Sequence, residues 1–283
     1  MKEFKIENHA PSYLPKEKNW TLAWQDEFDG NSLDESKWNF REYFWGKKSP
    51  TFSREGVSVD GNSNLVIALV KKGEDFYSGH LHTYDIPKDT TGVWPFGKFE
   101  KAKFMHKFGY YEIRCRLPKN PGWHAAFWLQ APGVGSHPDA KYCGVETDIM
   151  ENYRQHTEGL MLCGNGFGGY GKDAVWPGHF RFPFVETPDG WHYYGVDWNK
   201  DGYTFYADGK KIGWQGPPQV AVSHVEQFIL VSTECHGYNR NFGDNCGDDG
   251  HGDMWRGKPA DELKKAVLPD AFVVDHVRVF DEI

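Results

Sequence analysis

The chain has 283 residues, 32 of them glycine, and aromatic residues make up 16% of it. The glycine share exceeds the ordinary one and suits many turns, and this length is still compatible with one all-β domain. A formal net charge of −8, with a sequence pI near 5.9, excludes the basic footprint of a nucleic-acid binder and disfavours a strongly anionic ligand unless a local basic patch overrides it.

No apolar run approaches membrane-spanning length, so no membrane partner is expected. The opening MKEFKIENHAPSYLPKEKNW lacks a signal-peptide hydrophobic region. Either the chain is cytoplasmic, or it is extracellular or periplasmic after loss of a leader. Five cysteines, at 115, 143, 163, 235 and 246, show no CxxC spacing. They read mostly as buried thiols, with one disulfide as the alternative, and the spacing disfavours a zinc site.

Residues 1–19 carry little pattern and are expected to wrap around the domain. The first strand signal is WTLAWQDEF at 20–28, and VSVDGNSNLVIALV at 57–70 reads as two strands joined by an Asp-Gly-Asn turn. Residues 73–98, with His80, His82, Trp94 and Pro95, read as a decorated loop. In YYEIRCRL, Tyr111, Ile113, Cys115 and Leu117 fall on one face, and Tyr110, Glu112, Arg114 and Arg116 on the other. That alternation marks a half-buried antiparallel strand. GWHAAFWLQ, at 122–130, is a further strand.

Residues 164–190 are rich in glycine and aromatics and read as a loop over one face. WHYYGVDW, YTFYADGKKIG, QFILVSTEC and the closing AFVVDHVRVF supply more strands, while PADELKKAV suggests a short helix. No repeat, low-complexity tract or linker breaks the chain, so residues 1–283 are expected to form a single domain. Many short strands of one apolar parity predict a β-sandwich of antiparallel sheets with little helix.

The stretch YCGVETDIMENY, at 142–153, places three acids in a segment that otherwise favours a buried strand. Alternation puts Glu146 and Asp148 on one face and Val145, Thr147 and Ile149 on the other. Glu151 falls on the wrong parity unless one extra residue, around Ile149 or Met150, is absorbed as a β-bulge. Two carboxylates flanking a bond, one ionised and one protonated, are the machinery of glycoside hydrolysis. Crowding of like charges raises at least one carboxyl's pKa, as a general acid at neutral pH requires. A calcium site or a solvated acidic patch is the alternative.

ETDIME at 146–151 resembles the E-x-D-x-x-E signature of family-16 glycoside hydrolases in its bulged form. Laminarinases, agarases, porphyranases and carrageenases carry that form, whereas lichenases have E-x-D-x-E. WTLAWQDEFDG, FGYYEIRCRLP, WHAAFWLQ, GWHYYGVDWNKDGYTFYADGK and FVVDHVRVF also look like family segments, in the expected order. The resemblance implies a concanavalin-like jelly-roll of two sheets with a concave substrate cleft. It also implies endo-hydrolysis of a β-linked polysaccharide with retention of configuration and no catalytic cofactor. By motif position Glu146 is the nucleophile, Asp148 its assistant and Glu151 the acid/base. Thr147 departs from the usual aliphatic residue at a core-facing position.

Sugar rings present an apolar face that aromatic side chains bind at low entropic cost. Trp128 is the candidate for the subsite beside the nucleophile, and Trp123 for the cleft rim, each with a core role as the alternative. Tyr153 lies just beyond the acids. Glu234 and His124 are further sugar-contact candidates, with His236 and His80 behind them. Asp275 sits among valines and needs a partner. The resemblance implies a structural calcium bound by Glu27, Asp275 and the Gly61 carbonyl; an arginine or backbone partner is the alternative.

The expected ligand is a β-linked polysaccharide or oligosaccharide bound by a monomer. A β-1,3-glucan such as laminarin is the default substrate. A β-galactan of the agarase, porphyranase or carrageenase type is the second choice, favoured if arginine or lysine lines the pocket. Transglycosylation through the same intermediate and a carbohydrate-binding sandwich without catalysis are the further alternatives.

Overall fold

A computed structural model describes residues 1–44, 47–84, 102–152, 159–169, 174–238 and 257–283. Tyr153, Trp94, Pro95 and Cys246 lie outside the described residues.

Two antiparallel sheets pack face to face. One runs, strand by strand, Phe180–Pro183, Leu160–Gly166, Glu146–Glu151, Trp123–Gln130, Phe228–Cys235, His80–His82 and Asn39–Phe40. The other runs Lys210–Gln215, Gly202–Ala207, His192–Asn199, Gly109–Arg116, Ala271–Glu282, Leu65–Ala68 and Val57–Val59, with Trp20–Asp26 also paired to Ala271–Glu282. The core lies between them. Ala125, Phe127 and Leu129 enter it from one sheet; Tyr111, Ile113 and Cys115 enter it from the other, at the expected alternate positions. Each large apolar side chain buried there contributes about 1.5–3 kcal/mol.

Alternation on each strand therefore leaves one free face per sheet. In the first sheet that outer face holds the candidate site. In the second it is covered: Lys2–Phe4 pairs with Ser12–Leu14, and this N-terminal hairpin lies across the sheet. Leu14 and Trp20 pack there with Tyr110 and Phe280. Glu112 is consequently fully buried and accepts a 3.0 Å bond from the Tyr13 amide, so its face of the strand is roofed over rather than solvated.

Three local expectations change. His80–His82 is a strand of the first sheet, not part of a loop, and Phe180–Pro183 is its edge strand. The predicted helix near 259–267 is only a 3-10 turn, Leu263–Lys265. On Ala271–Glu282, Asp275 is the extra residue of a β-bulge, because Arg114 and Cys115 face His276 and Val274. Core positions are thus Phe272 and Val274 before the bulge, and Val277 and Val279 after it. No helix among the described residues is long and apolar enough to cross a membrane. Cys115, Cys143, Cys163 and Cys235 are buried free thiols.

Candidate active site

The acid strand carries the anticipated irregularity. Phe127 faces Met150 and Trp128 faces Asp148, so Ile149 is the residue without a partner. On the other neighbour, Asp148 faces Gly164 and Glu151 faces Leu162, three steps against two. Ile149 and Met150 are both fully buried in the core. Both apolar side chains gain burial at once, and Glu151 is turned to the outer face with Glu146 and Asp148.

Each acid has a defined setting. Gln130, opposite Glu146, donates its amide to Oε2 at 3.0 Å. His179 Nε2 lies 2.8 Å from Asp148 Oδ2 and 3.6 Å from Glu151 Oε2. Burial pushes the Asp148 carboxyl up to about 8. Glu151 is also held well above the usual range, first by burial, then by repulsion from Asp148, against the downward pull of His179. Asp148 and Glu151 titrate as a pair, and that pair retains a proton at neutral pH. Asp148, Glu151 and His179 each present a donor atom within 4.8 Å of the others. A cation there would discharge the proton that this crowding holds, so the arrangement suits acid chemistry better than metal binding.

Cross-strand pairing brings further side chains to the same face. Trp128 lies beside Asp148 in the floor with Tyr84, Phe228 and Leu230, its indole donating to Ser232 Oγ at 3.0 Å. His124 faces Glu234 and shares a 3.0 Å contact with His236. The His80 ring packs edge-on to Trp128, 5.9 Å between centroids. Trp123 does not join them. Its odd position turns it toward Leu69, Phe76 and Leu263, fully buried, with its indole NH 3.3 Å from Asp270, so the expected cleft-rim role is withdrawn.

Sequence reasoning missed Gln130, Ser232, His179 and Arg41. Arg41 is buried, with its guanidinium 5.9 Å from the Trp128 ring. Gln130 was legible, since it closes the same strand on the parity of Trp128. His179 was not: it lies 31 residues from Asp148.

Arginine and histidine side chains hold the carboxylates expected to bind calcium. Glu27 is bound through both oxygens by the buried Arg278, at 2.7 Å each. Asp275 is bound by Arg114 at 2.8 Å and His276 at 2.7 Å. Glu27, Asp275 and His276 each present a donor atom within 4.8 Å of the others, so the two expected carboxylates do come together. Gly61 lies in a turn at a φ of +76°, with Asn31 Oδ1 beside it. The carboxylate that needed a partner found arginine.

An all-β sandwich with clustered, proton-sharing carboxylates on an open sheet face has the layout of a polysaccharide-processing enzyme. The sequence profile of the glycosyl hydrolases family 16 matches residues 44–220, and the chain belongs to that family. It is 29% identical over 201 residues to glucan endo-1,3-beta-glucosidase A1 of Niallia circulans, a match covering 67% of this chain but 28% of that protein. It is 25% identical over 271 residues to beta-porphyranase B of Zobellia galactanivorans, covering 81% of each. Among solved structures, the catalytic domain of an endo-1,3-beta-glucanase (laminarinase) from Thermotoga petrophila superposes with a TM-score of 0.65 at 21% identity, over 94% of this chain and 99% of that one.

Proposed function

We propose that the chain is an endo-acting, retaining glycoside hydrolase working as a monomer on a β-linked polysaccharide, with β-1,3-glucan as the default substrate. The observation that carries this reading is the bulge at Ile149, which sets Glu151 on the face of Glu146 with its proton held by burial and by Asp148.

In the first step a Glu146 oxygen bonds to the anomeric carbon as the bond to the leaving sugar's oxygen breaks, and Glu151 gives that oxygen its proton. In the second, Glu151 takes a proton from water, whose oxygen displaces Glu146 from the same carbon. Asp148 and Glu151 share the retained proton, each opposing ionisation of the other, and His179 holds Asp148 in place. Gln130 orients Glu146. Trp128 floors the adjoining subsite, with Glu234 and the His124–His236 pair at its margin. Another sugar hydroxyl taking water's place in the second step gives transglycosylation.

The glucan assignment is supported by the names of the Niallia relative and the Thermotoga neighbour. A β-galactan carrying anionic groups is the second reading, favoured by Arg41 over Trp128 and by the porphyranase relative.

Digestion of laminarin, mixed-linkage glucan, agarose, porphyran and carrageenan, with separation of products, decides among them. Laminarin should yield a ladder of oligosaccharides, and Glu146→Gln should release no reducing ends while still binding the polymer. A panel left uncut by the unaltered protein would leave only a carbohydrate-binding sandwich.

A further inference from the structure

The strand Leu160–Gly166 bears glycine opposite two of the three acids: Gly164 opposite Asp148 and Gly166 opposite Glu146. Bare backbone there lets the chain that follows fold back into the site. The Cα of His179 lies 3.0 Å from where a Cβ on residue 164 would stand, and the six-membered ring of Trp176 lies too close over Gly166 for any side chain there. Trp176 and His179 stack, with centroids 5.2 Å apart and planes 26° from parallel. His179 supports one side of the indole and Gly166 meets its ring, yet the residue stays 40% exposed.

A large, half-open aromatic is unusual on a returning segment unless something holds it. Here Val175 and Phe167 exchange two backbone hydrogen bonds. A second hold comes from inside the sandwich. Thr147 Oγ1 donates to Asn165 Oδ1 at 2.8 Å, Asn165 Nδ2 to Gln215 Oε1 at 2.8 Å, and Gln215 Nε2 to the Gly178 carbonyl at 3.0 Å. This relay begins on the core side of the acid strand, passes through the facing sheet and ends on the residue before His179. It gives Thr147, where the family pattern has an aliphatic residue, a polar task.

An endo-acting enzyme must hold sugar on both sides of the bond it breaks. Trp128 stands on the strand to one side of the acids, and Trp176 lies over the strand to the other side. We propose that Trp176 is the stacking platform for the sugar on the leaving-group side, a neutral β-linked hexopyranose, and that the Thr147–Asn165–Gln215 relay is its mount. This rests on the reading of Glu146 and Glu151 given above. Stacking exploits the apolar ring face, and the fixed mount reduces the ordering cost of binding.

The test compares two substrates. Laminarihexaose places sugars on both sides of the scissile bond, whereas a 2,4-dinitrophenyl β-laminarioside has no sugar on the leaving side. Trp176→Ala should lose at least about tenfold more kcat/KM on the hexasaccharide than on the aryl glycoside, a difference of about 1.4 kcal/mol. Trp176→Phe should recover most of that loss. Thr147→Val, which keeps the volume and removes the donor, should shift the ratio the same way by a smaller factor. Equal losses on both substrates, or none, overturn the platform while leaving the acids' roles intact. Failure of the unaltered protein to cleave either substrate overturns both readings together.

Discussion

At the scale of residues, burial denies Asp148 and Glu151 the water that would let both ionise. Asp148 is pushed to about 8, and Glu151 is raised by burial and by its neighbour's charge. Activity should therefore hold through neutral pH and fall as pH rises through the pair's titration, because the general acid then arrives without its proton. Asp148→Asn removes the charge that raises Glu151, so the alkaline limb should move to lower pH. His179→Gln removes the group that lowers Glu151, so the limb should move the other way. A profile of kcat/KM against pH for the three proteins checks both signs; shifts in the same direction would contradict the assignment. Stability follows the same linkage. Groups with raised native pKa favour folding while protonated, and that contribution is lost as pH climbs from the ordinary carboxylate range toward the native value. Asp148→Asn should thus melt above the unaltered protein at about pH 9 and close to it at about pH 4.

At the scale of elements, the bulge is what converts a run of three acids into a site. Deleting Ile149 turns ETDIME into ETDME, in which plain alternation returns both glutamates to one face. That variant should fold with lowered stability and keep measurable hydrolysis. Deleting Ile149 and Met150 together should throw the last glutamate into the core and abolish activity. Equal loss in both variants, with circular dichroism showing folded protein, would sever the link between parity and function. This irregularity was legible in the sequence because an acid on the wrong parity is costly unless the chain corrects it. The bulge at Asp275 was not legible, since valines flank it on both parities. His179 and Trp176 were equally hidden. Their place depends on two glycines that read in sequence only as loop residues, and contact across a returning segment leaves no periodic trace.

At the scale of the whole molecule, the sheet away from the acids is roofed by the N-terminal hairpin, and buried charge ties the two together. Arg278 is fully buried; besides both oxygens of Glu27 it binds the Ala10 carbonyl at 2.9 Å and Ser12 Oγ at 2.8 Å. A guanidinium with every neighbour an acceptor supplies the positive charge that a structural cation would otherwise bring. A chelator should therefore leave the melting temperature within about 1 °C, because Arg278 already holds both oxygens of Glu27. Arg278→Met should lower it by roughly 6–12 °C, the effect of stranding a buried carboxylate at about 3–5 kcal/mol. A chelator-induced drop of that size would restore calcium to Glu27 and Asp275. The hairpin's wrapping role could be read from its lack of strand periodicity, but the arginine clasp could not. Its partners lie more than 250 residues apart, and a lone arginine in AFVVDHVRVF gives no sign of which acid it will meet.

In the proposed reaction Glu146 attacks the sugar while Glu151, turned round by one inserted residue, supplies the proton. The most direct measurement is peptide mapping by mass spectrometry after incubation with a 2-deoxy-2-fluoro dinitrophenyl β-laminarioside, which slows breakdown of the covalent intermediate more than its formation. A single glycosyl label on Glu146 is the predicted result. A label on Asp148 or Glu151, or turnover of the unmodified substrate to the inverted anomer with no label at all, would contradict the account.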